Sequence, residues 1–173
     1  MLFMTEECDD SHVVISLHTA QDPSEDEWQM FARELIRLIA LHAGDITRVR
    51  NIAISDGGAP STQQRHVLTN EVFRGRTYKV ALLTNSLSNP IKRGVAKALT
   101  WMNPDFKVMK PHDLTGALIY LGVPEVLDRV WRDYCAMQTR MTPIATLALV
   151  AKALNRPVPP SARAAAAPAA PGH

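Results

Sequence analysis

Residues 51–65, NIAISDGGAPSTQQR, are the best place in the chain to look for chemistry. Asn51–Ser55 predicts a buried strand, Asp56, Gly57 and Gly58 a turn, and Pro60, Ser61 and Gln64 a helix start. A strand that breaks sharply at its C-terminal end and feeds a helix is where open α/β sheets place their ligands. Polar residues also end two later predicted strands, at Thr84-Asn85-Ser86 and His112-Asp113. If these strands run parallel, Asp56, Gly57, Gly58, Ser61, Asn85, Ser86 and His112 gather at one sheet edge as candidate ligand- or partner-binding residues. Helix N-termini at such an edge present unpaired N–H groups and positive dipole ends. Arg65, Lys92 and Arg93 would add charge, so a phosphate or carboxylate suits the place. The competing reading is that Ser61, Asn89 and Asp113 are simply helix caps, each contributing about 1 kcal/mol.

Catalysis finds less support. His112 beside Asp113 is a pairing used in acid–base chemistry, yet no Ser or Cys stands in a GxSxG elbow. Gly57-Gly58 is neither a GxGxxG nor a P-loop pattern, and it reads as a turn requiring positive φ. No carboxylate cluster has metal-ligand spacing, and Cys8 and Cys135 are too far apart in sequence to form a CxxC or a Cys/His site. The expectation is a non-enzymatic protein with no cofactor and no metal.

The elements that must position these residues follow from periodicity. Leu2–Thr5 predicts a short strand and His12–His18 a stronger one, joined by a polar turn. Asp22-Pro23-Ser24-Glu25 predicts a helix start, with Asp22 as cap and Pro23 in the first helical position. Trp28, Phe31, Ala32, Leu35, Leu38, Ile39 and His42 then share one face until Gly44. On that face His42 reads as a packed, hydrogen-bonded histidine. After the strand 51–55 come a helix from about Ser61 to Phe73, a strand Tyr78–Thr84, a helix from Asn89-Pro90 to about Met102, a strand Phe106–Lys110 and a helix Leu114–Leu121. This alternation predicts an α/β fold with a mostly parallel mixed sheet of four or five strands flanked by helices. Val14, Ile52, Ile54, Val80, Leu82 and Val108 are the expected inner residues.

Composition agrees with a globular chain: 173 residues, 46% hydrophobic and 21% charged, with 19 basic and 17 acidic residues. Net charge of +2 gives no argument for nucleic acid. The first 30 residues are acidic and the stretch from Arg48 to Lys110 is mainly basic. This reads either as solvated faces of opposite sign or as an anion-binding middle. No signal peptide or membrane span is visible, and unpaired cysteines suit a reducing compartment, so a cytoplasmic location is expected.

The layout resembles the STAS fold of bacterial anti-sigma factor antagonists, and more specifically small bacterial STAS-like or CRAL-TRIO-like proteins. Two stretches carry the resemblance: Ile54-Ser55-Asp56-Gly57-Gly58-Ala59-Pro60, and Lys92 to Pro104, reading KRGVAKALTWMNP. It covers roughly residues 1–122 and implies a regulatory module that binds a protein partner, or alternatively a carrier or sensor of a small anionic or apolar ligand. In the antagonist branch a serine is phosphorylated at the helix start after a strand ending in aspartate. Asp56 fits the aspartate position, but Gly57-Gly58-Ala59-Pro60 stands in place of an Asp-Ser-Ser-Gly run. The resemblance therefore implies Ser61 as the candidate for phosphorylation, with Thr62 the other nearby hydroxyl.

Residues 123–155 predict a C-terminal helical extension, with helices over 124–140 and 143–154. The second is apolar on several sides. Its Ile144, Leu147, Val150 and Leu154 are expected to meet a protein partner or a second copy, the alternative being that the helix folds back on its own chain. Residues 156–173 are rich in Pro and Ala and are expected to be a disordered tail.

Overall fold

The computed structural model describes residues 1–85, 100 and 103–158. The fold is α/β, built on a five-stranded sheet whose order follows the chain: β1 (Leu2–Cys8), β2 (Ser11–His18), β3 (Val49–Ser55), β4 (Val80–Thr84) and β5 (Phe106–Met109). β1 pairs antiparallel with β2 through the tight turn at Asp9-Asp10, and the other pairs are parallel. Helices α1 (Glu25–Leu41), α2 (Thr62–His66, prolonged by a π-helical turn over Val67–Val72), α3 (Leu114–Leu121), α4 (Leu127–Gln138) and α5 (Ala145–Ala153) flank it.

Strand order explains where the helices go. A right-twisted sheet accepts parallel crossovers of one hand. When each strand is laid beside the previous one in the same direction, successive crossovers fall on the same face. α1 and the segment 62–73 both do so, packing Trp28, Phe31, Leu35, Leu38, Val72 and Phe73 against Val14, Val49 and Val80. The opposite face, carrying Val13, Ile15, Leu17, Ile52, Ile54, Ala81 and Leu83, is covered by α3, α4 and α5.

That arrangement corrects the expected role of the C-terminal helix. Ile144, Leu147 and Val150 lie at most 3% exposed within the core of their own chain, and Leu154 packs against them. The two described crossovers serve one face only. An apolar α5 is the cover the other face needs.

Several boundaries move for local reasons. Ser24, not Asp22, caps α1, in a reciprocal box with Glu27. Asp22 instead accepts the Ala59 N–H at 2.9 Å, tying the entry of α1 to the turn after β3. Tyr78 precedes β4 and packs its ring on Phe73 at 4.1 Å between centroids. Leu82 and Val108 are half-buried: Leu82 borders a cavity and Val108 sits on edge strand β5. Pro124–Val126 forms a 3-10 turn before α4. His42 hydrogen-bonds His12 across 2.9 Å, as a packed histidine on that face should. Of the helix expected over 89–102, Thr100 is helical and the rest lies outside the described residues, as does the tail beyond Val158.

Candidate ligand-binding cavity

The two faces of the sheet differ in side-chain size. One carries Val13, Ile15, Leu17, Ile52, Ile54 and Leu83, with Ala81 its small central residue. On the other, the central positions are Ser16 and His18 of β2, Asn51, Ala53 and Ser55 of β3, and Leu82 and Thr84 of β4. Short side chains under α1 and the 62–73 segment leave a cavity of about 190 Å³. Trp28, Phe31, Phe73, Tyr78 and Phe106 supply an aromatic wall, and Gly57–Pro60 closes the end above the C-termini of β2 and β3.

Polarity is graded along the strands. Toward their C-terminal ends stand His18, Ser55 and Thr84, and toward their N-terminal ends Val80, Tyr78 and Phe106. Within the cavity most polar groups are already engaged. Ser16 donates to Asn51 Oδ1 at 3.4 Å, and Asn51 also hydrogen-bonds the Tyr78 phenol, which burial pushes to a higher pKa. Trp28 Nε1 donates to the Gln64 carbonyl at 2.8 Å. Ser55 Oγ accepts the Gly57 N–H at 2.9 Å. The His18 ring makes no hydrogen bond to another described residue, and burial lowers its pKa to about 4. A neutral imidazole keeps one donor and one acceptor nitrogen for whatever occupies the cavity.

Charge has one sign. The described lining includes Arg65 and Arg76 and no aspartate or glutamate. Arg65 is half-buried and held by its own neighbours, Nη1 donating to the Pro60 carbonyl at 2.6 Å and Nη2 to Thr62 Oγ1 at 3.0 Å. Arg76 is exposed and tied to the Gly44 carbonyl at 2.7 Å.

The π-helical turn contributes to this shape. Phe73 N–H bonds the Leu68 carbonyl and Gly75 N–H the Thr69 carbonyl, each wider than an α-helical step. The wider turn places Leu68 and Thr69 on the lining. π-turns of this type recur at functional sites.

The expected site residues part company at the end of β3. Gly57, with φ of 114°, and Gly58 line the cavity. Gly58 is required for a second reason: a Cβ there would stand 2.0 Å from the Gln21 carbonyl oxygen. Asp56 belongs instead to the opposite face, where its carboxylate accepts the N–H groups of Ala145 and Thr146, both at 2.7 Å, and so caps α5. Ser61 is exposed and caps α2, accepting the Gln64 N–H at 3.1 Å while Gln64 Oε1 accepts the Ser61 N–H at 2.9 Å. Asn85 and His112 are exposed and outside the lining, and Ser86 lies outside the described residues. Asp113 caps α3 through the Gly116 N–H at 3.1 Å.

His18, Asn51 and the aromatic wall were not anticipated. The signal was present in HVVISLH: its polar positions, His12, Ser16 and His18, all fall on one face, and the other face, Val13, Ile15 and Leu17, is wholly apolar.

Among the described residues no group of three or more His, Cys, Asp or Glu side chains converges on a metal position. No described helix is long and apolar enough to cross a membrane. Comparison of the chain with protein-family models, curated proteins and solved structures finds no match.

Proposed function

We propose that the protein is a non-enzymatic carrier or sensor of a small organic ligand, held in the cavity between the sheet, α1 and the 62–73 segment. The single observation behind this reading is the cavity itself: an aromatic enclosure with a few convergent polar groups at the C-terminal edge of a parallel sheet. The bonding at two of the candidate positions supports the non-enzymatic part of this reading. Ser55 is committed to the Gly57 amide, and His112-Asp113 stands apart as an exposed residue beside a helix cap. In a sensor, occupancy is passed to a protein partner, which is where the cavity meets the STAS-like regulatory role implied by the strand layout. A cytoplasmic setting accords with the two free cysteines, Cys8 and Cys135.

Native mass spectrometry of protein purified from its own host tests the reading, together with titration of the neutral fluorescent probe N-phenyl-1-naphthylamine. The expected result is a bound small molecule, or saturable probe binding that the bulky substitution Ala53→Phe abolishes while the fold is retained. Absence of both would remove the proposal.

A further inference from the structure

We infer that the ligand is an aromatic carboxylate of one or two rings, its ring against the wall formed by Phe73, Tyr78 and Phe106 and its carboxylate on the guanidinium of Arg65. This rests on the cavity being a binding site and adds the class of molecule that fills it.

Size comes first. A volume of about 190 Å³ is below the ~300 Å³ at which drug-sized sites begin, so the enclosed part takes one or two rings, and a longer molecule, the three-ring probe included, extends out of its open side. Shape comes from the walls. Five aromatic side chains border one space, and flat faces favour a flat ring in offset or edge contact. Charge comes from Arg65. Two of its nitrogens are fixed by Pro60 and Thr62, which holds the guanidinium in place without neutralising it, and none of its described contacts is a carboxylate. Guanidinium carries five N–H donors, so three are left. Arg76 does not share the task. It is anchored at Gly44, before β3, whereas Arg65 is anchored at Pro60, after β3. The anion therefore lies at the C-terminal edge, beside the Gly57-Gly58 backbone, and the ring points toward Tyr78.

The test compares 1-naphthoate with its uncharged isostere 1-naphthamide, by calorimetry and by displacement of N-phenyl-1-naphthylamine, using the full chain. A charge-assisted pair in a partly enclosed site predicts about ten-fold tighter binding of the acid. Arg65→Gln should erase that preference and Arg65→Lys should keep most of it, the acid-to-amide ratio being read within each variant so that any change of the wall common to both ligands cancels. Circular dichroism shows that each variant is folded. If the probe binds but acid and amide are equivalent in the unmodified protein, or the preference survives Arg65→Gln, the carboxylate assignment is overturned and the cavity reading stands. If neither naphthyl compound nor the probe binds, both are overturned.

Discussion

Asp56 and Thr146, ninety positions apart, are joined where β3 ends and α5 begins. Asp56 Oδ1 accepts the Thr146 N–H at 2.7 Å, and the Thr146 hydroxyl donates to the carbonyl of Ser55 at 3.0 Å. An aspartate at the tip of a parallel strand thus satisfies the open end of a helix distant in sequence, with the favourable sign against its dipole. Asp56→Ala should cost about 2 kcal/mol in urea unfolding, with faster amide exchange confined first to 145–148. Its affinity for N-phenyl-1-naphthylamine should stay within about two-fold, because the side chain faces away from the cavity; 0.4 kcal/mol corresponds to that factor.

Leu147→Ala removes a fully buried side chain from the core shared by the sheet, α3 and α4. A loss of about 2–5 kcal/mol is expected in chemical denaturation. A chain ending at Arg140 should aggregate or fail to unfold cooperatively, since it uncovers the part of one sheet face that α5 covers. Light scattering that shows this shorter chain to be monomeric and as stable as the full chain would contradict α5 as core cover.

Asp133 sits almost wholly buried beside Glu6, and its Oδ2 has no hydrogen-bond partner among the described residues. Burial, reinforced by Glu6, raises its pKa to about 6. The folded protein then keeps a proton that the unfolded chain releases near the ordinary aspartate value. Stability contributed by this group is complete at low pH and is lost as pH rises through about 6. Asp133→Asn should flatten that part of the curve and raise the melting temperature at pH 8, as a pH series of thermal melts would record.

His18 has the opposite sign. Its folded pKa of about 4 lies below the usual histidine value, so the unfolded chain binds its proton first as pH falls. Its contribution is fully present above about pH 6.5 and is lost on acidification toward 4. His12 adds a slope of the same sign, since burial and the neighbouring His42 also lower its pKa. His18→Gln should therefore remove one share of the acid loss, and His12→Gln another, in the same series of melts.

Gly58→Ala should destabilise the turn by more than 1 kcal/mol and weaken N-phenyl-1-naphthylamine binding, because the added methyl meets the Gln21 backbone. Ser61→Ala, by contrast, should cost about 1 kcal/mol as a lost cap and leave that binding intact. Intact-mass analysis of host-derived protein is expected to show no phosphate on Ser61.

Periodicity exposed the elements because most are strongly patterned: β2 is rich in β-branched residues and α1 has a clean apolar stripe. The layout of the sheet was legible for the same reason. What local pattern cannot reveal is which face a crossover takes, and that alone reversed the reading of Ile144, Leu147 and Val150. Asp56 and Gly57 show the same limit at the scale of one residue. They are adjacent in sequence and both suit a binding turn, yet alternation at the end of β3 sends Asp56 to the α5 side and Gly57 to the cavity. His18 was hidden by being a polar residue at the end of an apolar strand, a position that commonly marks nothing but the edge.

The cavity is a consequence of omission. Ala53 and Ser55 are small where the other face has isoleucine and leucine, so the space exists as missing methylene groups under a roof wide enough to span them. A void of that kind is a standing opportunity for repacking: one enlarged side chain at Ala53 would exchange an empty volume for contact area. Selection for heat resistance alone, applied to this chain without its ligand, should therefore reach the floor of the cavity early and yield proteins that melt later and hold nothing.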